Sequence, residues 1–425
     1  MNILIKNTTA LLPDGEKLKT EKTNICIEGS VISSVGSIPE GFTADKTVDG
    51  EKFLAIPGLI NAHTHTYMSL FRNIADDLSF EDWLFGRINP LEDKLTDEDA
   101  YWGSMLSCAE MIKTGTTCFL DMHMFKNMSA KAADMIGMRA VLSRGLVGSD
   151  RHDEGGLRRL IEATDEIECY KDNDRLSFML APHAIYTCGT DYLSFIIEKA
   201  AEYELPLHTH LSETVNEVEN CKKEHGVSPV EYLNSLGFFD IKTIAAHCVH
   251  LNDNDINILK NKSVNVVHNP RSNLKLGNGI APVYELDKAG VNICMGTDSQ
   301  ASNNSLNLFG DMSAAALLQK TGRPTAVGAQ EVLKYATANG ASALGLNTGA
   351  IEAGRKADIV LLDLENPEFY PRNDLLSALV YSANGTETDT VIIDGEIVLE
   401  HGRLTKADEE EIYAKAQEVI DRIDK

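Results

Sequence analysis

No stretch of this 425-residue chain reaches the roughly 18 uninterrupted apolar residues of a membrane helix, so nothing in it calls for a lipid phase. Positive charge is scarce: 39 Lys and Arg stand against 64 Asp and Glu, a formal net charge of −25. The excess acid is spread along the chain instead of gathered in one tail. That argues against nucleic acid and polyanionic substrates, because phosphates select basic surfaces. The eight cysteines form no C-x-x-C pair, and the opening MNILIKNTTALLPDG reads as strand and turn, not as a leader peptide. Reduced thiols and a cytoplasmic location are expected. A Gly-rich phosphate turn is also missing, which argues against an open doubly wound sheet.

What is present has the composition of a globular protein, 43% hydrophobic and 24% charged, at a length that suggests one large domain with a smaller companion. Residues 1–56 give short strands separated by turn signals: NILIKN, TNICIEG with SVISSVG, and KTVDGEKFLAI. KADIVLLDL and DTVIIDGEIVLEHGRL resume that texture near the far end, with the Asp-Gly signature of a hairpin. The pattern predicts a small β-sandwich domain built from residues 1–56 and 349–406, and a C-terminal helix over 407–425. Between them, residues 57–348 alternate apolar runs with amphipathic helical segments. The eight runs are AIPGLINAHTH, TTCFLDMH, RAVLSRGLVG, LSFMLAPHAI, LPLHTHLSE, TIAAHCVHL, VNVVHNP and VNICMGTD. They predict an α/β fold, a (β/α)₈ barrel of TIM type.

Each run is apolar until its last residues and then turns polar, at the strand ends where barrels collect their active-site groups. His63, His65, His183, His210, Glu213, His247 and Asp298 stand there. His63 and His65, two apart on an extended segment, face the same side, although a bare H-x-H does not separate a metal site from an ordinary polar strand end. His210 closes the fifth run, with Glu213 three residues on and within reach of a group bound at a metal. His208 repeats the geometry one step deeper; His210 lies nearer the mouth and is preferred, leaving His208 to the core or to support of the ligands. Asp298 is either a ligand or a turn cap. Three imidazoles and a carboxylate suit Zn²⁺, with Fe²⁺ or Mn²⁺ as alternatives. One divalent metal is expected, because the fourth run offers His183 and no lysine to bridge two.

The strings PGLINAHTHTYMSLFRNIADDLSFEDWLF, NPLED, PHAIY, HTHLSET, TIAAHCVHL, HNPRSNLKLGNGIAP, GTDSQASNNSLNL and IEAGRKADIVLLD make the chain resemble the amidohydrolase superfamily over nearly its whole length. Within it, NPRSNLKLGNGIAP and SNNSLNL resemble the 5-methylthioadenosine/S-adenosylhomocysteine deaminase branch. The resemblance implies His63, His65, His210 and Asp298 as metal ligands and Glu213 with His247 as the proton-handling pair. It also implies Glu92, Arg144 and His183 as substrate contacts, with Glu92 accepting from ribose hydroxyls and Glu213 and Asp298 reaching the base. A further arginine falls at Arg158 or Arg159, and GGLRRL does not decide between them. GTDSQASNN departs from the common GTDGAASNN but keeps the aspartate and SNN.

The implied reaction is zinc-dependent hydrolytic deamination of an adenine nucleoside: 5′-methylthioadenosine, S-adenosylhomocysteine or adenosine. Asp298 and His247 take a proton from water, C6 is attacked, and Glu213 protonates the adjacent ring nitrogen. Glu213 must then start protonated, through burial or a neighbouring carboxylate. The P-C-x-x-C half of the H-x-E and P-C-x-x-C signature of another deaminase class is absent from the sequence.

Two other readings stand beside this one. A guanine, 8-oxoguanine or cytosine deaminase, or another ring hydrolase, would use the same centre but has no clear use for Glu92. A non-catalytic barrel scaffold would be expected to lose ligands, and this chain keeps them. His123, His250 and His268 either orient ligands or are structural groups, and Trp83 and Phe80 either cover the site or belong to the core. The expected partner is a small nucleoside, with no nucleic acid and no membrane; a homo-oligomer is left open.

Overall fold

The computed structural model describes residues 1–423. The N-terminal strands are β1 (Asn2–Asp14), β2 (Lys17–Glu28), β3 (Val31–Val35), β4 (Lys46–Asp49) and β5 (Phe53–Pro57). Eight follow in the middle: β6 (Leu59–Thr64), β7 (Thr116–His123), β8 (Arg139–Leu146), β9 (Leu176–Pro182), β10 (Leu207–Leu211), β11 (Thr243–His247), β12 (Asn265–His268) and β13 (Asn292–Met295). The last four are β14 (Ile359–Asp363), β15 (Thr388–Ile393), β16 (Glu396–Glu400) and β17 (Arg403–Leu404).

Strands β6 to β13 form an eight-stranded sheet in sequence order, with every ladder parallel. Each of the eight apolar runs contains one of them. Strands β6, β7 and β8 are buried along their whole length, as parallel strands sheathed in helices must be. The barrel is nearly closed. First and last strands meet at the mouth, where the Asp298 N–H donates to the His63 carbonyl at 3.0 Å and the Asn61 side chain donates to Thr297 Oγ1 at 2.7 Å.

Both chain ends build a second, mixed sheet of nine strands, ordered β17-β16-β15-β14-β5-β1-β2-β3 with β4 also paired to β1. Continuous ladders join all nine strands around an apolar core of Ile3, Ile5, Ile25, Ile27, Ile32, Ile359 and Leu361. The two termini meet where β14 pairs antiparallel with β5, Leu361 opposite Ala55. The predicted Asp-Gly hairpin joins β15 to β16 through Asp394 (φ 53°) and Gly395 (φ 77°), a backbone that favours glycine. A Cβ at Gly395 would also lie 1.8 Å from the Gly29 carbonyl.

Strand β6 starts two residues after β5, so the small domain is fixed to the barrel. Arg139 at the start of β8 reinforces the joint: its Nε donates to Asp358 Oδ2 at 2.7 Å and its Nη2 to Asp394 Oδ1 at 3.0 Å. The C-terminal helix runs Glu409–Ile423 and buries Ile412, Ala416, Val419 and Ile423 along one stripe. It pairs with the helix Asp97–Lys113 through Arg422 and Asp99 and through Lys113 and Glu409. The last two residues of the predicted helix lie outside the described residues. Among the described residues no helix is long and apolar enough to cross a membrane.

Candidate active site

Most of the strand-end groups singled out in the sequence converge at one mouth of the barrel. His65 sits just past β6, and its Nδ1 donates to the Met122 carbonyl at 2.7 Å. His210 on β10 does the same through Nδ1 to the His183 carbonyl at 2.9 Å. A backbone carbonyl can only accept, so each ring carries its proton on Nδ1 and presents a bare Nε2. These two Nε2 atoms lie 3.3 Å apart. Two facing lone pairs repel, but about 3.3 Å is the edge of a tetrahedron around an ion with Zn–N bonds of ~2.0–2.1 Å.

Asp298 Oδ1 lies 3.3 Å from His65 Nε2 and 3.5 Å from His63 Nε2. His63 Nε2 is itself buried without a hydrogen-bond partner among the described residues. Ligand atoms of His63, His65 and Asp298 fall within 4.8 Å of one another, as do those of His63, His210 and His247. This donor set fits a divalent cation, and an orphaned buried lone pair otherwise has no account.

Electrostatics favour the same occupant. Burial, then the neighbouring imidazoles His65 and His247, hold His63 down to about 4 despite Asp298. Burial holds His210 well below its ordinary value, and His183, His63 and His247 add to the effect. Burial pushes the Asp298 carboxyl up, but the imidazoles of His63, His247 and His65 outweigh it and hold Asp298 well below the usual carboxylate range. Ser272 and Ser302 donate to its Oδ2 at 2.6 and 2.7 Å, which leaves Oδ1 for the site. His63 and His210 are therefore held as neutral bases beside an anionic Asp298.

Glu213 and His247 form a buried pair, with Glu213 Oε1 3.8 Å from His247 Nδ1. Asn278 donates to Glu213 Oε1 at 2.9 Å, and His247 Nδ1 is 2.8 Å from Asn273 Oδ1. Burial raises Glu213; His247 opposes the shift and Asp298 adds to it. His247 also ends up raised, because Glu213 and Asp298 overcome its burial. The backbone here adopts left-handed φ at Ser212 (49°), His247 (74°), Cys248 (48°) and Asp298 (60°). Non-glycine residues avoid that region unless their surroundings enforce it, and functional sites are where it recurs.

A cavity of about 560 Å³ opens over this cluster, lined by His65, His183, His210, Glu213, His247 and Asp298 at its base and by Glu92, Arg144 and Arg159 along its walls. Glu92 accepts from the Tyr67 hydroxyl at 2.9 Å and is raised chiefly by burial. Arg144 is engaged by Glu162 at 3.0 Å and by the Gly145 carbonyl at 3.0 Å. His183, pushed down to about 3 by burial and then by His65 and His63, is neutral. Arg159 lines the cavity, whereas the Arg158 side chain is 69% exposed and pairs with Glu162. Phe80 and Trp83 also line it, with Trp83 buried and donating to the Ala301 carbonyl at 3.3 Å.

The other histidines separate by partner. His123 pairs with Glu166 at 2.9 Å, a structural contact. His250 Nε2 lies 2.7 Å from the Asn278 carbonyl and steadies the loop that holds Glu213. His268 is buried and makes no side-chain hydrogen bond among the described residues.

Several contributors escaped the sequence reading: Asn273, Asn278, Ser272, Ser302, Tyr67 and Glu217. Buried Glu217 accepts the backbone N–H groups of Ser212 at 2.8 Å and Glu213 at 2.7 Å, and burial pushes it up to about 7. It is the fourth residue of Thr214-x-x-Glu217, a helix-start pattern, which was the one available signal. Ser272 and Asn273 lie on the short helix Pro270–Lys275, Tyr67 on the 3-10 helix Thr66–Phe71, and Asn278 and Ser302 in loops, and in none of them does spacing mark a role.

A parallel barrel with imidazoles and a carboxylate gathered at its mouth defines a metal-dependent hydrolase. Residues 54–398 match the amidohydrolase family, and the chain belongs to it. It is 46% identical over 418 residues to a 5-methylthioadenosine/S-adenosylhomocysteine deaminase of Thermoanaerobacter pseudethanolicus, covering 97% of each chain. It is 44% identical over 426 residues to a 5′-deoxyadenosine deaminase of Methanocaldococcus jannaschii, covering 99% of each. Among solved structures it superposes on a zinc-bound adenosine deaminase of Xanthomonas campestris with a TM-score of 0.94 at 32% identity, covering 99% of this chain and 98% of the other.

Proposed function

We propose that the chain hydrolytically deaminates adenine nucleosides bearing varied 5′ groups, methylthioadenosine and S-adenosylhomocysteine foremost, releasing ammonia and the inosine analogue. The observation that carries this reading is that Glu92 lines the same cavity as Glu213 and the imidazole cluster. A carboxylate on the wall can accept from ribose hydroxyls while the base lies over the cluster, and the cavity falls within the ordinary size range of ligand pockets.

His63, His65, His210 and Asp298 would hold one Zn²⁺, whose Lewis acidity lets water be deprotonated near pH 7. Fe²⁺ or Mn²⁺ would suit the same donors. Asp298 Oδ1, its partner oxygen satisfied by Ser272 and Ser302, accepts a proton from the attacking water together with His247. Burial shifts Glu213 toward its protonated form, the form that delivers a proton to the ring nitrogen beside C6. A C6–O bond forms, the C6–N bond breaks, and the departing amine takes the second water proton through the same acid–base groups. Because Glu213, His247 and Asp298 interact at close range, the protons belong to the set and not to any one residue. His183 contacts the base, and Arg144 and Arg159 place positive charge on the wall that receives the 5′ end. Phe80 and Trp83 help keep bulk water out.

The test is release of ammonia, with loss of the adenine absorbance band for the adenine compounds, on mixing zinc-loaded protein with methylthioadenosine, S-adenosylhomocysteine, 5′-deoxyadenosine, adenosine, adenine and guanine. Turnover of the nucleosides without the free bases supports the reading. Turnover of guanine alone overturns it.

A further inference from the structure

Beneath the cluster, three buried groups are joined head to tail. Ser143 on β8 lies 2.7 Å from the Asp121 carbonyl and donates its only hydroxyl proton there. Its oxygen is also 3.0 Å from Nδ1 of His208. With the Ser143 proton committed to a carbonyl, the serine can only accept from His208. His208 therefore carries its proton on Nδ1, and its Nε2 is an acceptor. That Nε2 is 2.9 Å from Nδ1 of His63, which must then be the donor. The proton order runs from His63 through His208 and Ser143 to the backbone of β7, and it leaves the lone pair of His63 on Nε2, the buried atom facing Asp298.

We propose that His208 and Ser143 are positioning residues that lock His63 in its Nδ1–H tautomer, so that its Nε2 lone pair is ready for a divalent cation before one arrives. The reversed tautomer would set lone pairs of His63 and His208 against each other across the same gap, or oblige Ser143 to abandon the Asp121 carbonyl. All three side chains are completely buried, so water cannot relieve either defect. The H-T-H of β10 thus has two separate uses: His210 faces His65, while His208 supports His63 across the barrel. A hydrogen bond of this kind fixes ligand orientation and typically changes metal affinity by 10–100-fold.

This inference rests on the metal-site reading, and the test keeps the two apart. Zinc affinity is measured by competition with a chromogenic chelator in the wild type and in His208→Leu, His208→Gln and Ser143→Ala. Nitrogen-15 imidazole spectra of the metal-free wild type and Ser143→Ala report the His63 tautomer. We expect Nδ1–H in the wild type, a mixture in Ser143→Ala, and zinc affinity ~10–100-fold weaker in His208→Leu. His208→Gln, whose amide oxygen can accept the His63 proton, should stay within about threefold of wild type, since the supporting bond survives. A merely structural role would instead lower the melting temperature of both His208 variants and leave zinc affinity equal in them, which overturns the proposal. So does an Nε2–H tautomer in the metal-free wild type. If His208→Leu does not fold, an unchanged tautomer and unchanged affinity in Ser143→Ala overturn it equally. Failure of the wild type to bind zinc would sink the metal-site reading instead, while the tautomer spectrum still judges the relay.

Discussion

Asn278 donates its side-chain amide to Oε1 of Glu213 across 2.9 Å, from a position 65 residues further along the chain. The contact holds one oxygen of a buried, raised carboxyl and leaves the other for a proton. In Glu213→Gln the amide oxygen keeps the Asn278 contact but the acidic proton is gone. Turnover should fall by about 10²–10⁴, the usual span of a general acid, with bound metal unchanged by atomic emission. Wild-type turnover in that variant would remove Glu213 from the chemistry.

Stripping metal with a chelator should abolish activity, and stoichiometric zinc should restore it. Because the ion binds the folded chain in preference to the unfolded one, saturating zinc should raise stability by about 4 kcal/mol at a thousandfold excess over Kd. Calorimetry with and without zinc reads this as an upward shift in Tm; coincident melts would argue against a bound ion.

Arg159→Ala should raise KM for S-adenosylhomocysteine by about tenfold, the loss of ~1.4 kcal/mol of binding, and affect methylthioadenosine less, because only the former carries a 5′ carboxylate. Arg158→Ala, whose side chain faces solvent, should leave both unchanged. Equal effects of the two variants would refute the assignment.

The metal-free protein should lose stability in mild acid. His63 is pushed down to about 4 from 6.5 and His183 to about 3 from 6.5, in both cases first by burial. The unfolded chain takes up protons at these residues as pH falls below 6.5, while the folded protein refuses them. Their contribution is therefore full above the unfolded value and is lost progressively as pH falls toward the folded values. Urea midpoints of the metal-free protein between about pH 7 and pH 4 should fall steadily. Zinc should raise the midpoint near neutrality and cease to do so where acid displaces it.

Arg139→Met should destabilise the fold without touching the site. It strands the buried Asp358 carboxylate, while Asp394 keeps Lys356 at 2.9 Å, and removing one member of a buried ion pair costs about 3–5 kcal/mol. Denaturant unfolding measures the loss, and the folded fraction should keep wild-type KM. A cost under about 1 kcal/mol, the level of an exposed pair, would show that the joint between barrel and sheet does not depend on this arginine.

Much of the fold was legible because barrel strands buried on both faces write themselves as apolar runs and their mouths as polar endings. Six of the eight runs end in residues that line the cavity, and the Asp-Gly turn before β16 was readable from turn chemistry alone. Other choices were not. Arg158 and Arg159 are adjacent on one helix, about 100° apart around its axis, and only the docking of that helix onto β8 sends Arg159 to the cavity. Both histidines of H-T-H point into the barrel; position at the strand's end favoured His210 for the mouth, but only the closed barrel sets His208 against His63.

The sequence by itself determined the barrel, the order of its strand ends and the residue types available there, because periodicity and apolar patterning are local properties of the chain. Tertiary structure decided the rest. It set the tautomers of His65 and His210 through carbonyls of distant strands. It clamped Asp298 with Ser272 and Ser302, and pinned the backbone of Glu213 with Glu217. It raised or lowered each carboxyl by burial among particular neighbours. Proton positions and acid strengths depend on distances of a few ångströms between groups far apart in the chain, and those distances exist only once the barrel has closed.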